Sequence, residues 1–381
     1  MHDVVIAGAG PVGATLALAL ADTGLDVVAL DARPRGEIAR GDRSLALSHG
    51  SRLIFERLGI WGALSSTHGA VTPIGAIDIS QAGGFGSASI DAREQGLPAL
   101  GYVVSYRALQ AALDDALART GIDVRFDARV EGMRSEPGRA RVALACDVPP
   151  LTARVGVAAD GAGALVEGLT RERRDYGQVA IVARVWAERP HEGVAYERFT
   201  PEGPVALLPE QDHYGLVWTR SPQDALATLA LPDDAFLAAL SRHFGSRVTG
   251  FTRVGERRSF PLVLEYARTT TMPHVVAIGN AAQALHPIAG QGFNLGVRDA
   301  YELARVLREA PREALGQRAT LARYARERAM DRRAGIAFTN GLVHLFGGSL
   351  LRWPRGLGLT VLDSLPPLKR AFTRAMLYGW R

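Results

Sequence analysis

The stretch DVVIAGAGPVGATLALALADTGLDVVALD, residues 3–31, decides the fold. An apolar run at 3–7 predicts a β-strand, the glycines of 8–13 a tight turn, residues 14–23 a helix, and 26–30 a second strand ending at Asp31, with Gly24 as the helix stop. Gly8 permits the turn, Gly10 lets a pyrophosphate reach bare backbone, and Gly13 lets the helix pack close to the strand. The helix start offers unpaired N–H groups and a positive dipole end to phosphates. Asp31, 18 residues after Gly13, stands where an acid can bond a ribose diol. A dinucleotide site is expected, and the motif fits the adenosine ribose of either FAD or NAD.

The segment Val4–Ala21 is also 18 residues without a charge, which reaches the lower edge of membrane-spanning length. Three glycines and a proline interrupt it, and Asp3 and Asp22 flank it, so strand, turn and buried helix explain it better. The opening MHDVVIAG has no basic leader ahead of its apolar run, and no secretory signal is expected there.

A chain of 381 residues can bury roughly 75% of its extended surface, enough for a deep pocket. Apolar content of 47% and charged content of 22% argue against disorder. The net charge of +5 arises from 44 basic against 39 acidic residues of mostly mixed sign, a poor footprint for nucleic acid. One cysteine, Cys146, excludes an internal disulfide and any cysteine-cluster metal site, and fits a reducing cytoplasm.

Further along, Arg43 precedes a predicted helix in 39–64 with Leu53, Leu58 and Leu64 on its apolar side. Arg43 either meets a phosphate or a ring edge, or faces solvent. Short β-like runs separated by glycine fill 71–92, and 102–130 returns to helix and strand, with Leu109, Leu113 and Leu117 at four-residue spacing. Another strand is expected in 153–163, ending at Asp160-Gly161. Residues 179–260 show period-two character, with a helix over 233–244, and predict a substrate-facing antiparallel sheet.

The run VVAIG (275–279) opens a second glycine-rich element, GNAAQALHPIAGQGFNLG (279–296), followed by a helix with Leu295, Ala300, Leu303 and Leu307 on one side. Backbone N–H groups around Gly290–Gly292 have no bulky side chain to shield them, so they could polarise a carbonyl or stabilise a developing anion. This loop is expected to hold a cofactor ring by main chain.

Gly8-x-Gly10-x-x-Gly13, Asp160-Gly161 and GNAAQALHPIAGQGFNLGVRD, in this order, resemble the flavin-dependent aromatic hydroxylases, in particular their ubiquinone-biosynthesis branch. The resemblance runs from residue 2 to the C-terminal GW and weakens over 180–260. It implies an α/β fold: a Rossmann-like FAD-binding domain of the glutathione-reductase type (1–70, 101–175 and 266–345), an antiparallel-sheet substrate domain (71–100 and 176–265) and a C-terminal helical tail (346–381).

By resemblance, Gly8, Gly10, Gly13 and Asp31 hold the ADP half of FAD, and Arg43 and Arg107 sit near the pyrophosphate and flavin. Asp160 belongs to a motif implicated in FAD and NAD(P)H binding, and Asn280 stands where most relatives carry aspartate. Gly290, Gln291, Gly292, Phe293 and Asn294 complete the cofactor set. The pattern departs at Ala164 and Glu167, where serine and arginine would be usual, and that concerns the reductant more than FAD.

The implied chemistry is reduction of FAD by NAD(P)H, reaction with O2, and transfer of one oxygen atom from a flavin hydroperoxide to a polyprenyl-methoxyphenol. His286 is the local titratable candidate for activating the phenol, or else it holds the loop at Pro287, whose carbonyl would lie near the flavin. An FAD oxidase or dehydrogenase, or a nonenzymatic FAD-bound component of a biosynthetic complex, is the alternative. The tail 351–381 carries Arg352, Arg355, Lys369, Arg370, Arg374 and Arg381 against Asp363. It either contacts the inner face of a membrane or a ubiquinone-biosynthesis protein, or packs on the FAD domain.

Overall fold

The structure, a computed structural model, describes every residue except 38–42, 147, 162, 164, 286–289, 347–351 and 381, with the backbone alone at 342–346 and 352. β1 (His2–Ala7) leads into α1 (Pro11–Leu20), and β2 (Val27–Leu30) returns parallel to β1. β3 (Ser44–Ser48), α2 (His49–Arg57), α3 (Trp61–Ser66), β4 (Val71–Ile74), β5 (Ala76–Gln81), β6 (Ser87–Asp91) and β7 (Gly101–Ser105) follow. α4 (Tyr106–Ala118) carries the chain to β8 (Asp123–Arg125), the hairpin β9 (Val130–Glu136) and β10 (Arg139–Leu144), and β11 (Leu151–Ala158).

The long β12 (Arg171–Ala187) is succeeded by β13 (Val194–Thr200), β14 (Gly203–Glu210) and β15 (His213–Arg220). α5 (Pro222–Leu229), α6 (Asp233–Phe244), β16 (Phe251–Val254) and β17 (Arg258–Ala267) come next. β18 (Thr271–Met272), β19 (Val275–Ala277) and β20 (Gln283–Ala284) precede the helices α7 (Gln291–Glu309), α8 (Arg318–Phe346), α9 (Arg352–Ser364) and α10 (Pro366–Tyr378).

Three sheets organise these elements. In the first, β19, β11, β1, β2 and β8 run parallel in that spatial order. One face carries α1, α4 and α7 through Leu16, Leu113, Leu303 and Leu307, and the other packs on the β9–β10 hairpin through Met133 and Val142. Burial on both faces explains why Val4, Val5 and Ile6 are all apolar.

The second sheet has the order β20-β17-β12-β15-β14-β13-β5-β6 and is antiparallel except where β13 meets β5. Its main run begins at Arg171, ahead of the expected 176, and it takes in Gln283–Ala284 from the returning chain. β4, expected among its strands, instead joins β3 and β7 in a separate three-stranded sheet.

Helix α6 spans the expected 233–244. The segment after Arg43 is first a strand, not a helix, because Ser44–Ser48 pairs along β7. The helix that follows buries Ile54 and Phe55 more deeply than Leu53. The tail forms two helices. α10 packs Phe372, Leu377 and Tyr378 against Ile90, Ala92 and Leu100.

Candidate cofactor and substrate cavity

The carboxyl ends of β1, β2, β11 and β19 deliver Gly8, Asp31, Asp160 and Asn280 to one continuous cavity of about 1220 Å³. The crevice beyond the carboxyl ends of parallel strands is where open α/β sheets bind ligands. Gly8 adopts φ +102°, and a Cβ there would lie 2.6 Å from the Ala159 carbonyl oxygen. A Cβ on Gly13 would come within 1.9 Å of the Gly8 oxygen. Gly13 therefore permits packing and does not itself line the cavity.

Gly10 differs from both. It lines the cavity and a Cβ on it would meet no protein atom within 4 Å. The open space is on the ligand side. No side chain caps α1, and Pro11 begins it, so the first-turn N–H groups remain available to an anion.

Asp31 accepts hydrogen bonds from the Ala9 N–H at 3.0 Å and the Arg33 N–H at 2.9 Å. Arg33 in turn grips Asp114 of α4. The buried Gln110 donates from Nε2 to the Ala9 oxygen at 3.1 Å, so α4 braces the turn from behind. Arg107 is exposed and lies outside the lining. Helical geometry puts Tyr106 and Gln110 on one face and turns Arg107 away. Arg43 is exposed at the cavity and places its guanidinium over the Tyr106 ring, 4.5 Å from the centroid. Asp160 accepts from the Gly163 N–H at 3.1 Å.

The second glycine-rich element supplies another helix start. Gly290, at φ +59°, caps α7 without a side-chain bond, and a Cβ there would lie 2.7 Å from the Ala46 Cβ. Gln291, Gly292 and Phe293 line the cavity beside it. Asn294 also lines it, but its amide is spent on protein. Nδ2 donates to the Ala46 oxygen at 2.9 Å and the Gly290 oxygen at 2.7 Å, and Oδ1 accepts from the Ser48 N–H at 2.8 Å. Asn294 therefore fastens β3 to the entry of α7. His286, Pro287 and Ala164 lie outside the described residues, and Glu167 is exposed away from the cavity.

A buried ionic network fixes this element from below. Asp299 accepts from Arg328 Nε at 2.8 Å, Gln283 Nε2 at 2.6 Å and the Gly279 N–H at 3.3 Å. Asp331 meets Arg298 Nε at 2.8 Å and Arg328 at 2.7 Å, and accepts from the Trp380 N–H at 2.9 Å. Sequence reading did not mark these residues. Paired charges on two helices look like solvated faces until the helices are placed together.

The remainder of the cavity is largely hydrocarbon. Strand alternation divides the second sheet: Leu207, Leu216 and Trp218 pack under α5 and α6, whereas Ala206, Leu208 and Val217 face the cavity. α9 and α10 close it with Leu359, Leu362, Phe372 and Met376. Glu197 of β13 lies on the same wall and was missed at the sequence level. An acid in VAYERFT is readable as a strand residue, but not as a cavity residue until the strand's face is known.

The family described as "FAD binding domain" matches residues 1–339. A ubiquinone hydroxylase, UbiL of Rhodospirillum rubrum, is 35% identical over 98% of this chain and 88% of its own. The 3-demethoxyubiquinol 3-hydroxylase of Escherichia coli is 30% identical over 97% of this chain and 96% of its own. Among solved structures, p-nitrophenol 4-monooxygenase PnpA of Pseudomonas putida superposes with TM-score 0.77 at 18% identity, covering 100% and 99% of the two chains. The uncapped α1 start and the open space before Gly10 suit the pyrophosphate of such a cofactor.

Proposed function

The chain belongs to the FAD binding domain family and is an FAD-dependent monooxygenase, and on that premise we propose that it hydroxylates the ring of a polyprenyl-methoxyphenol in ubiquinone biosynthesis. The observation carrying this reading is the continuity of the cavity, in which a phosphate-binding turn and an apolar chamber share one space. Bound FAD would supply the redox chemistry, drawing electrons from NAD(P)H and passing one atom of O2 to the substrate.

The protein's part is binding, orientation and exclusion of water. Gly8, Gly10 and the start of α1 would receive the pyrophosphate, Asp31 with its braces would hold the ribose, and Asp160 and Asn280 would hold the linking chain. The N-terminus of α7, capped by no side chain, would offer its N–H groups to negative charge on the cofactor. Ile77, Ile79, Ile90, Leu359 and Leu362 provide the dry walls that an isoprenoid substituent needs.

Reduction with NAD(P)H under nitrogen, followed by isotopically labelled O2 and a short-chain polyprenyl-methoxyphenol, is expected to give product carrying one labelled atom. NAD(P)H oxidation with unlabelled product would point to an oxidase or dehydrogenase. FAD retention without turnover would point to a nonenzymatic role.

The tail refines the proposed membrane contact. Lys369, expected in a basic patch, is paired with Glu94 at 3.3 Å and Asp363 at 3.2 Å, and Arg355 is buried toward the cavity. Arg370 and Arg374 stay exposed. Helix α9 is apolar on two sides. Pro354, Gly358 and Leu362 face the cavity, while Trp353, 76% exposed, Leu357 and Val361 form an outward stripe continued by Leu365 and Leu368. Among the described residues no helix is long and apolar enough to cross a membrane.

We propose that this stripe lies on the bilayer from which the substrate is drawn. Trp353→Ser/Leu357→Ser is expected to lower flotation with anionic liposomes at least tenfold, because each side chain forfeits about 1.5–3 kcal/mol of burial. Undiminished flotation of this variant would remove the stripe from the explanation.

A further inference from the structure

Strand β13 forms part of the chamber wall. Its alternation sends Ala195, Glu197 and Phe199 toward the cavity, while Tyr196, which also borders it, turns its ring to the opposite face against Tyr214 and Phe244. The strand register keeps the surroundings of Glu197 apolar. Ile79 stands opposite it on β5, Ala206 opposite it on β14, and Val217 one strand beyond, and all three line the same cavity.

Among the described residues, none makes a hydrogen bond or ion pair with the Glu197 carboxyl. On this face β5 places no titratable group, and β14 places Glu210, which lies outside the lining and is held by Ser44 Oγ at 2.6 Å and His213 at 3.6 Å. Arg355 of α9 and Tyr196 also line the cavity, and Asp31, Asp160, Arg33, Arg43, Arg129 and Tyr106 lie in its cofactor portion. None of them contributes to the Glu197 equilibrium, and burial alone pushes its pKa up to about 7.

A carboxyl set in hydrocarbon without a partner is costly, and such groups cluster where a ligand completes them. The chemistry of a phenol matches this one. A phenol ionises near pH 10 and an ordinary glutamate near 4.3, so an ordinary carboxylate is a base too weak by roughly six units. Burial of Glu197 closes nearly half of that gap.

We infer that Glu197 receives the ring hydroxyl of the aromatic substrate, which donates a hydrogen bond to the carboxylate and then transfers its proton to it. The phenol O–H bond breaks, its electron pair stays on the phenol oxygen, and a new O–H bond forms on the carboxyl. The product of this step is a neutral Glu197 beside an electron-rich phenolate ring, the form that attacks an electrophilic oxygen. This inference rests on the proposed reading of the chain as a phenol hydroxylase.

The test uses the FAD-loaded protein, a short-chain prenyl-methoxyphenol, and its O-methyl ether, which has no proton to donate. Binding of each is followed through the flavin absorbance between about pH 6 and about pH 8. In the wild type the preference for phenol over ether is expected to rise about tenfold across this range, the usual gain when a hydrogen bond acquires a charged acceptor. In Glu197→Gln the preference should be independent of pH.

Thermal midpoints give a second readout. A carboxyl whose pKa is raised on folding binds its proton more tightly in the native state. Its unfavourable effect therefore appears as pH rises from the unfolded carboxylate range to about 7 and is complete above it. Glu197→Gln should accordingly melt higher than the wild type at about pH 8, with the difference vanishing near pH 4. A pH-independent phenol preference in the wild type would overturn the assignment even if the variant failed to fold. So would a variant that kept the rising preference. Absence of labelled product from any phenol with the wild type would instead remove the hydroxylase reading itself.

Discussion

Gly10→Val is expected to give a folded protein that purifies nearly colourless. The backbone at Gly10 has φ −63° and ψ 178°, an extended conformation open to valine, and the new Cβ would meet no protein atom within 4 Å. The fold therefore has no reason to resist the change. The branched side chain instead occupies the space before the α1 N-terminus, where the pyrophosphate must approach within hydrogen-bond distance. Displacing it costs about 3 kcal/mol, which weakens FAD binding about a hundredfold. Flavin absorbance per chain, read beside far-ultraviolet circular dichroism, checks this. Full occupancy in a folded variant would show that the pyrophosphate lies elsewhere. Gly13→Val should behave differently, losing the fold itself, since its Cβ would sit 1.9 Å from the Gly8 oxygen.

Removal of the Asp331 carboxylate is expected to destabilise the FAD-loaded protein by about 3–5 kcal/mol. Asp331→Ala strands Arg298 in the interior and leaves the Trp380 N–H without its acceptor. Arg328 keeps Asp299. Loss of one partner of a buried pair is far more costly than loss of an exposed one, so Arg125→Ala, at its surface pair with Asp123, should cost under about 1 kcal/mol. Urea midpoints at saturating FAD compare the two, and equal shifts would contradict the network's role. Burial pushes the Asp331 pKa up, but Arg298 and Arg328 more than offset this and hold it below the usual range. Its stabilisation is therefore present above the unfolded carboxylate range, near pH 4, and is lost as pH falls through the lower native value.

The parts of this molecule legible in the sequence are those whose physics is local. Residues 3–31 announce strand, turn and helix because three glycines and a terminal acid occupy neighbouring positions. The 275–307 element and α6 are equally self-contained. Strand β3 was not legible, since SLALS is short and its partner β7 lies more than fifty residues on. Nor was the parallel joining of β13 to β5, which crosses more than a hundred residues. Within the cavity, alternation reveals that a strand has two faces without saying which meets the ligand, and Glu197 was hidden by that ambiguity. Arg107 shows the converse: a residue of suitable chemistry in a familiar pattern, turned outward by one step of helix rotation. The missed α5 had readable marks, Ser221 capping it and Pro222 at its first turn.

The cavity's walls are not contiguous in the chain, and this sets an order in time. A ribosome delivers the glycine turn first, the sheet bearing Ile77, Ile79 and Glu197 later, and α9 and α10 last of all. Until those two helices emerge, the apolar wall that they later cover lies open, although the dinucleotide turn is already complete. Synthesis therefore passes through a stage in which that wall is exposed to water and to other apolar surfaces.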